Sequence, residues 1–454
     1  MSSNHVTGDE FDVAYQYTLR FYPRWFTWVQ FHLTSENSEN SERSGTPTPN
    51  RLTGPLGMGP EYKVVVAIND DTIYAEAFLD VSAGPVILTI PKYGNKYSIL
   101  QLDVFGNVLT TALTASQPPS QGGTFAFVAA GYEGQIPSGA TRVEMPYTFT
   151  SIAIRIDKYS PAGADLIAAA NEFRSRLRMV PMAKYDPSDT VTGATLVVPL
   201  FFFSPSVKLM ADEGIAAAPE AFLTTLTKAM ASPTTQPLTE DDQALILHFN
   251  ALFSAAKNVI DHDSGPMRDI IRGAQAAHAA LVNRWQSNLG PTNWIHFDNI
   301  GEWGTNYLDR AALTEYIQCG NGPKSAYYAD AFVDDSGLPL DGASFAYTIT
   351  FTEGQIPEAT RFWSMTAYTA GAIELVPNAA NKYVVASYTP ELVTAKDGSI
   401  TIYVQADAPT TVSRANWLPV PKGSFSLLLR VYGPEGAAAD GSYIPPRIHR
   451  GLPR

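Results

Sequence analysis

The sequence contains three groups of polar side chains whose types and spacing could support acid–base chemistry. The first is 69–74 (NDDTIY), which directly follows the apolar run 64–68. Such a run predicts a strand, and the end of a strand can present side chains into a pocket. Asp71 is then a candidate base, Tyr74 a candidate acid and Asn69 a candidate substrate-binding residue. Alternatively, the group is an Asx-rich turn whose side chains bond to the local backbone.

The second group lies in 97–103 (YSILQLD), whose side chains alternate between two faces if the run is a strand. Tyr97, Ile99 and Gln101 then share one face. A tyrosine and a glutamine beside an aliphatic side chain indicate the wall of a pocket rather than a solvated face. We therefore predict that Tyr97 and Gln101 bind substrate.

The third group is 303–310 (WGTNYLDR), in which Tyr307 and Arg310 are three residues apart and share one face of a helix. An arginine that faces the interior is costly unless an anion or a carbonyl pairs with it. Arg310 is therefore a candidate electrophilic anchor for a carbonyl or carboxylate, with Trp303 and Tyr307 beside it. The alternative is that Arg310 ties a helix to a sheet.

The complete candidate site adds one more arginine and two more aromatic residues to these groups. The candidate catalytic residues are Asp71, Tyr74 and Arg310. The candidate substrate-binding residues are Asn69, Tyr97, Gln101, Arg155, Trp303, Tyr307, Trp363 and Tyr368. For any of the aromatic residues the alternative is an ordinary place in the core, because aromatic side chains dominate protein interiors.

Motifs of the common cofactor-dependent and metal-dependent enzymes are absent from the sequence. It has no HExxH, no paired CxxC, no GxGxxG opening a helix, no Walker loop and no GxSxG. We therefore expect no cofactor and assign no metal ligand. The group 261–263 (DHD) fits a helix cap better than part of a metal site. Cys319, whose neighbours match no cysteine-enzyme motif, fits a helix end better than a nucleophile.

Composition and charge indicate a soluble, cytoplasmic protein. The 454 residues are 45% hydrophobic, which is enough for a large core in two or three folding units. A single cysteine and no Asn-x-Ser/Thr sequon give no sign of an oxidising compartment. The net charge of −13 argues against a nucleic-acid partner, because phosphate binding uses clustered Lys and Arg. Without a signal peptide or an apolar run of ~20 residues, no membrane association is expected.

The pattern along the chain predicts an α+β fold. Alternating apolar runs fill 63–157 and return over 329–432, which indicates two β-rich sandwich or barrel-like domains. Between them the apolar spacing becomes three and four residues, starting with an amphipathic helix over 166–180. A helical block therefore lies between the two β-rich regions. We place the domains at 1–160, 161–325 and 326–454.

The segment 34–50 has no aliphatic or aromatic residue and is rich in Ser, Glu and Asn. Such a composition cannot offset the entropy of ordering, so we predict a mobile loop. A lid that closes over a ligand cavity is the alternative.

Several of these runs resemble motifs of DUF1254 and DUF1214, two families of unknown function. Residues 69–74 and 97–107 (YSILQLDVFGN) resemble the N-x-DT-L-Y-S and YYSLQL-D-x-x-TN motifs of DUF1254. The runs that resemble DUF1214 are 304–312 (GTNYLDRAA), 362–368 (FWSMTAY), 381–383 (NKY) and 416–423 (NWLPVPKG). The chain departs from the DUF1254 motif with Ile73 for Leu and Ala75 for Ser. The resemblance implies two β-rich domains flanking helices, and an oligomer, but no particular reaction.

We therefore expect a cofactor-independent enzyme that acts on a small, partly apolar organic substrate by acid–base chemistry. Hydrolysis, elimination, isomerisation or cyclisation would each suit the candidate residues. The alternative is a non-catalytic protein for small-molecule binding or assembly. The expected partners are a small-molecule substrate or ligand and further copies of the chain.

Overall fold

The fold is mixed α+β, with two β-rich regions and a helical block between them, which confirms the predicted class. The computed structural model describes residues 9–36, 48–55, 59–114, 118–189, 195–197, 206–258 and 265–453. Within these ranges the strands form four sheets.

The elements of the described residues are numbered in chain order. The helices are α1 (Glu10–Glu36), α2 (Ile167–Ser175), α3 (Val207–Ala217), α4 (Pro219–Ala231), α5 (Glu240–Lys257), α6 (Pro266–Gln286), α7 (Tyr307–Tyr316) and α8 (Gly436–Asp440). The strands of the first β-rich region are β1 (Thr53–Pro55), β2 (Thr72–Asp80), β3 (Val86–Ile90), β4 (Tyr97–Leu102), β5 (Gly123–Ala129), β6 (Thr141–Met145), β7 (Phe149–Asp157), β8 (Arg178–Pro181) and β9 (Thr195–Val197). The strands of the second are β10 (Ala326–Ala331), β11 (Phe345–Phe351), β12 (Ala359–Thr369), β13 (Val384–Ala386), β14 (Ile400–Gln405), β15 (Trp417–Pro419), β16 (Phe425–Pro434) and β17 (Ile448–Pro453).

The first β-rich region is a sandwich of two sheets. Their strand orders are β4-β7-β2-β1-β9 and β6-β5-β3-β8. Successive side chains of β2 point to opposite faces of the sheet. The apolar core between the two sheets therefore receives Ile73, Ala75, Ala77 and Leu79. Tyr74, Glu76 and Phe78 therefore lie on the opposite face, where Tyr74 and Phe78 join the core of the helical block.

The second β-rich region is also a sandwich, with strand orders β10-β16-β12-β13 and β15-β14-β11-β17. Trp363 and Leu429 belong to the core between these two sheets. The next residues along the same strands, Ser364 and Arg430, consequently lie on the other face of the β12–β16 pair. This face is turned toward the first sandwich, because side chains from it bond to residues 67–71.

The helices pack around α1, which contacts α3, α4, α5, α6 and α7. The partner α6 carries a buried stripe at the three- and four-residue spacing of an amphipathic helix. The stripe consists of Met267, Ile270, Ala274, Ala277, Leu281 and Trp285. Gly273 allows the two helices to approach closely, since a Cβ atom there would lie 2.3 Å from the carbonyl oxygen of Phe11. Among the helices of the described ranges, none has both the length and the apolar character needed to cross a bilayer.

Three local predictions were wrong in whole or in part. The run 64–68 is not a strand, because its backbone bonds to the second sandwich: the Ala67 N–H donates to the Ile373 carbonyl at 3.2 Å. The helix predicted over 166–180 ends at Ser175, since the apolar residues that follow form β8, which pairs with β3. The first three residues of segment 34–50 belong to α1. Residues 37–47 lie outside the described residues.

Candidate functional site

A cavity lies on the face of the β4-β7-β2 sheet that points away from the sandwich core. It has about 730 Å³ of empty volume, including the part that opens to solvent. Strands β2, β4 and β7 supply one wall, and Gln30 of α1, Val65 and Cys319 contribute to the other. Its lining mixes apolar side chains with a few polar ones, as small-molecule sites do.

Tyr74 and Arg155 face each other across this wall, because they are directly opposite in the β2–β7 register. The Arg155 guanidinium carbon lies 5.3 Å from the centroid of the Tyr74 ring, which is cation–π distance. Its Nη2 donates to the Cys319 carbonyl at 2.9 Å. Its Nε is buried and has no hydrogen-bond partner among the described residues. Arg155 therefore places a permanent positive charge in the cavity wall.

Glu76 is two residues after Tyr74 and shares its face of β2, so it lines the same cavity. Burial raises the pKa of Glu76, and the hydrogen bond that Tyr62 donates to Oε1 and the charge of Arg155 offset this effect only in part. A buried carboxyl group beside a fixed positive charge is the type of group that can act as a general acid or base. Glu76 was not among the predicted site residues, although the two-residue period of a strand through Tyr74 indicates that it shares the face of Tyr74.

The cavity therefore combines a fixed cation, a buried carboxyl and a phenol with apolar walls from Phe78, Leu100 and Leu102. Such a set can hold a carbonyl or carboxylate oxygen at the guanidinium and move a proton at the carboxyl. The thiol of Cys319 does not add a nucleophile at neutral pH. Burial raises its pKa to about 12, so it stays protonated.

A second group of polar side chains fills the space between the two sandwiches. We call it the polar junction: Asn69, Asp71, Tyr368, Arg430 and Tyr432. Asp71 is 1% exposed and accepts hydrogen bonds from Ser364 Oγ at 2.9 Å and Tyr388 OH at 2.5 Å. Asn69 Nδ2 donates to Tyr432 OH at 2.8 Å. Its Oδ1 accepts from the backbone N–H groups of Asp71 and Thr72, which is the Asx turn that the sequence left as an alternative.

Arg430, which the sequence analysis did not select, holds the polar junction together. It donates to Thr366 Oγ1 at 3.2 Å, to the Ala67 carbonyl and to Tyr368 OH at 2.7 Å. Tyr368 in turn donates to the Ile68 carbonyl at 2.6 Å. The predicted residues Asn69, Asp71 and Tyr368 are therefore brought together here rather than in the cavity wall.

The polar junction adjoins the cavity. Asn69 of the junction accepts a hydrogen bond from the side chain of Thr72, the first residue of β2, and Tyr74 of the cavity is two residues further along that strand. Five of the eleven predicted site residues thus lie in one continuous region of the molecule.

The other predicted residues lie elsewhere. Tyr97 and Gln101 share a face, as predicted, but it is the face toward the first sandwich core, where Tyr97 donates to the Pro119 carbonyl and Gln101 accepts from Thr111. Trp363 belongs to the second sandwich core, where its ring stacks on Phe351 at 5.4 Å.

Arg310 and Tyr307 lie together beside α1, and Trp303 belongs to the core of the helical block. The Arg310 guanidinium donates to the backbone carbonyl of Arg20 and lies 4.8 Å from the Tyr307 ring centroid. The carbonyl partner that an inward arginine requires is thus supplied by the chain itself. This contact ties α7 to the helix α1, whereas the alternative interpretation had Arg310 tying a helix to a sheet.

Asp330 of β10 is a buried carboxyl on the same side of its sheet as Arg430. Its Oδ1 accepts from the Ala331 N–H at 3.0 Å, and its Oδ2 has no hydrogen-bond partner in the described part of the chain. Burial raises the pKa of Asp330 to about 8, and Arg430 offsets this only in part. The folded protein therefore keeps this carboxyl mostly protonated at neutral pH.

We expect Asp330 to weaken the fold as the pH rises from 3.8 to about 8. In this window the folded chain holds a proton that the unfolded chain has released, so stability falls by up to about 1.4 kcal/mol per pH unit. Asp330→Asn should remove this contribution and be more stable than the wild type above pH 8. Urea unfolding across the pH range measures it, with the exposed Asp298→Asn as the matched control. If the free energy of unfolding depended on pH in the same way for the wild type and for Asp330→Asn, the raised pKa assigned to Asp330 would be contradicted.

A further titratable cluster lies in the helical block, where Asp212, His278 and Glu315 place their ligand atoms within 4.8 Å of one another. Lys208 Nζ donates to Glu315 Oε1 at 2.7 Å and to Asp212 Oδ2 at 2.8 Å, and Tyr22 donates to Glu315 Oε2. Burial lowers the pKa of His278, but the two carboxylates outweigh it and raise the pKa to about 9. The group 261–263, considered in the sequence for a metal, lies outside the described residues.

Comparison with known proteins identifies relatives by family and by fold. No curated protein gives a significant match. Among solved structures, the VPA0106 protein of Vibrio parahaemolyticus is similar at 19% identity and a TM-score of 0.60, over 97% of this chain and 100% of that one. An uncharacterised protein of Burkholderia cenocepacia is similar at 14% identity and a TM-score of 0.45, over 95% of this chain and 87% of that one.

Family models match both β-rich regions. The model "Protein of unknown function (DUF1254)" matches residues 49–181, and "Protein of unknown function (DUF1214)" matches residues 325–436. The first match covers the strands that line the cavity, and the second covers the strands that carry Arg430 and Tyr368. Together the two matches span more than half of the chain. The chain therefore belongs to the DUF1254/DUF1214 domain-containing protein family.

Proposed function

We propose that the protein is a cofactor-independent enzyme that transfers a proton to or from a small, partly apolar organic substrate in the cavity. The observation that carries the proposal is that Arg155, Glu76 and Tyr74 line one cavity together with apolar side chains. Arg155 binds a carbonyl or carboxylate oxygen of the substrate, and Glu76 acts as the acid–base group.

The register between β2 and β7 supports these roles of Arg155 and Glu76. Glu76 is opposite Ala153 and Tyr74 is opposite Arg155 on the adjacent strand, so Glu76 and Arg155 are diagonal neighbours on one face. Diagonal neighbours have Cα atoms about 7–8 Å apart, within reach of long side chains. A substrate oxygen at Arg155 therefore places the neighbouring carbon atoms near Glu76.

The proposal gives the role of the base to Glu76 rather than to Asp71. Asp71 is not among the residues that line the cavity, and its two carboxylate oxygens each accept a hydrogen bond from the second sandwich. We assign Asp71 the task of positioning the segment that leads into β2. Arg310, which bonds to the Arg20 carbonyl, is assigned to helix packing.

The test uses a panel of small aromatic and alicyclic carboxylic acids, ketones and esters. Compounds that raise the melting temperature are incubated with the protein in D₂O, and NMR follows deuterium uptake and product formation. Glu76→Gln should bind the same compounds with unchanged affinity but lower the exchange or turnover rate by about 10²–10⁴-fold. Glu133→Gln, at an exposed position of the same region, is the matched control and should behave as the wild type.

Other outcomes separate the alternatives. Binding without exchange or turnover would favour a non-catalytic small-molecule binding protein, in which Arg155→Met loses affinity and Glu76→Gln has no further effect. If no compound of the panel binds to the protein, the cavity is neither the site of an enzyme nor a binding site for such compounds. A cytoplasmic location and a homo-oligomeric state stay predictions, which cell fractionation and light scattering of the full chain would test.

A further inference from the structure

We propose that Asp212, His278 and Glu315 bind a divalent ion of the first transition series, such as Zn²⁺. Asp212 lies on α3, His278 on α6 and Glu315 on α7. One imidazole and two carboxylates are ligand types that Zn²⁺ accepts. The cluster shares no residue with the lining of the cavity, so this site is separate from the proposed acid–base site.

The distances fit a small ion. Zn–N and Zn–O bonds are about 2.0–2.2 Å long, so two ligand atoms on a tetrahedral ion are about 3.4 Å apart. His278 Nε2 lies 3.2 Å from Asp212 Oδ1 and 3.7 Å from Glu315 Oε1. These two distances bracket the tetrahedral value, so small side-chain movements suffice for all three atoms to contact one ion.

Two of the three ligand atoms are paired with each other, since His278 Nε2 and Asp212 Oδ1 lie 3.2 Å apart in an ion pair. His278 Nε2 and Asp212 Oδ1 are buried, and neither makes a hydrogen bond among the described residues, even though they are close to each other. Buried polar atoms without a hydrogen-bond partner are uncommon in folded proteins. A metal ion between them would satisfy both atoms at once.

The surroundings hold the carboxylates in place. Lys208 Nζ bonds to Asp212 Oδ2, which leaves Oδ1 facing His278, and Tyr22 donates to Glu315 Oε2. Hydrogen bonds of this kind orient ligands and tune a metal site. Lys208 Nζ also donates to Glu315 Oε1 at 2.7 Å, and this bond must be released when Oε1 binds the ion. Zn²⁺ displaces the proton that His278 carries, and the bound site then has two carboxylates against the single Lys208 ammonium, which leaves one net negative charge beside the ion.

Solvent can reach the cluster. The side chain of Asp212 is 29% exposed and that of His278 is 18% exposed, whereas Glu315 is fully buried. An ion can therefore enter from the Asp212 side, and a water molecule can complete the four ligands.

The test is equilibrium dialysis of chelator-treated full-length protein against Zn²⁺ alone, followed by elemental analysis. The wild type should take up one Zn²⁺ per chain. His278→Gln and Asp212→Asn should each weaken binding by at least about tenfold. His449→Gln is the matched control, because His449 contacts Asp335 in an exposed histidine–carboxylate pair, and it should leave the uptake unchanged.

Two further measurements keep the test decisive even if His278→Gln or Asp212→Asn fails to fold. Pulsed EPR of Cu²⁺ bound to the wild type should show one coordinated imidazole. Lys208→Met should tighten Zn²⁺ binding, because it removes a positive charge beside the ion. The proposal is overturned if the wild type takes up no stoichiometric Zn²⁺, or if folded His278→Gln binds as tightly as the wild type. In either case the cluster is a closed ion-pair network without a metal.

Discussion

Arg430→Met is expected to lower the free energy of unfolding by about 3–5 kcal/mol, because it leaves three buried acceptors without their donor. Arg430 donates to Thr366, Tyr368 and the Ala67 carbonyl, and it is 2% exposed. Methionine retains much of the length of the side chain but offers no hydrogen-bond donor. The change should be read from the midpoint of urea unfolding at neutral pH.

The matched control is Arg176→Met at a position where the arginine side chain is 60% exposed. A surface substitution of this kind should stay within about ±0.5 kcal/mol of the wild type. If Arg430→Met were as mild as its control, the polar junction would not depend on this arginine for its stability.

Breaking the ion pair between the two sandwiches should have an effect of similar size. Arg361 of β12 donates through Nε and Nη2 to the two carboxylate oxygens of Asp157 on β7, and both side chains are at least 90% buried. Asp157→Leu leaves the guanidinium buried without its partner, so we expect a loss of about 3–5 kcal/mol.

The double variant Asp157→Leu/Arg361→Met should recover most of that loss. Burial raises the pKa of Asp157, and Arg361 offsets this only in part, so the desolvation of the carboxylate outweighs its attraction to the arginine. Replacing both charges with apolar side chains then removes the desolvation penalty together with the attraction. A double-mutant cycle by urea unfolding measures the coupling, and additive losses from the two single variants would contradict it.

The sequence predicted the strands well because one face of each is buried in a sandwich. The runs 86–90, 97–102 and 152–156 alternate or are continuously apolar, and each lies in a strand. The run 64–68 has the same composition but forms no strand. Its backbone carbonyls accept hydrogen bonds from Arg430 and Tyr368, which are 363 and 300 positions away, and no local sequence pattern indicates such partners.

Part of the candidate site was predictable because side chains in a strand alternate between two faces. Tyr74 was predicted from the polar group 69–74 and Arg155 as a further arginine of the candidate site, and the sheet brings them into one cavity wall. Glu76 was not predicted because the predicted strand 64–68 placed the site at its end, whereas the strand that lines the cavity begins at Thr72. Tyr97 and Gln101 share a face, as predicted, but only the packing of the second sheet decides which face is the core.

The segment that joins the two sandwiches has a consequence for how this chain can change over evolution. Residues 67–71 are held by the second sandwich, and the strand that lines the cavity begins at the very next residue. The shape of the cavity in one half is thus fixed by side chains from the other. The two halves are therefore not interchangeable modules, and a chimaera that pairs them from distant relatives should lose the cavity unless positions 364, 368, 388 and 430 are transplanted with it.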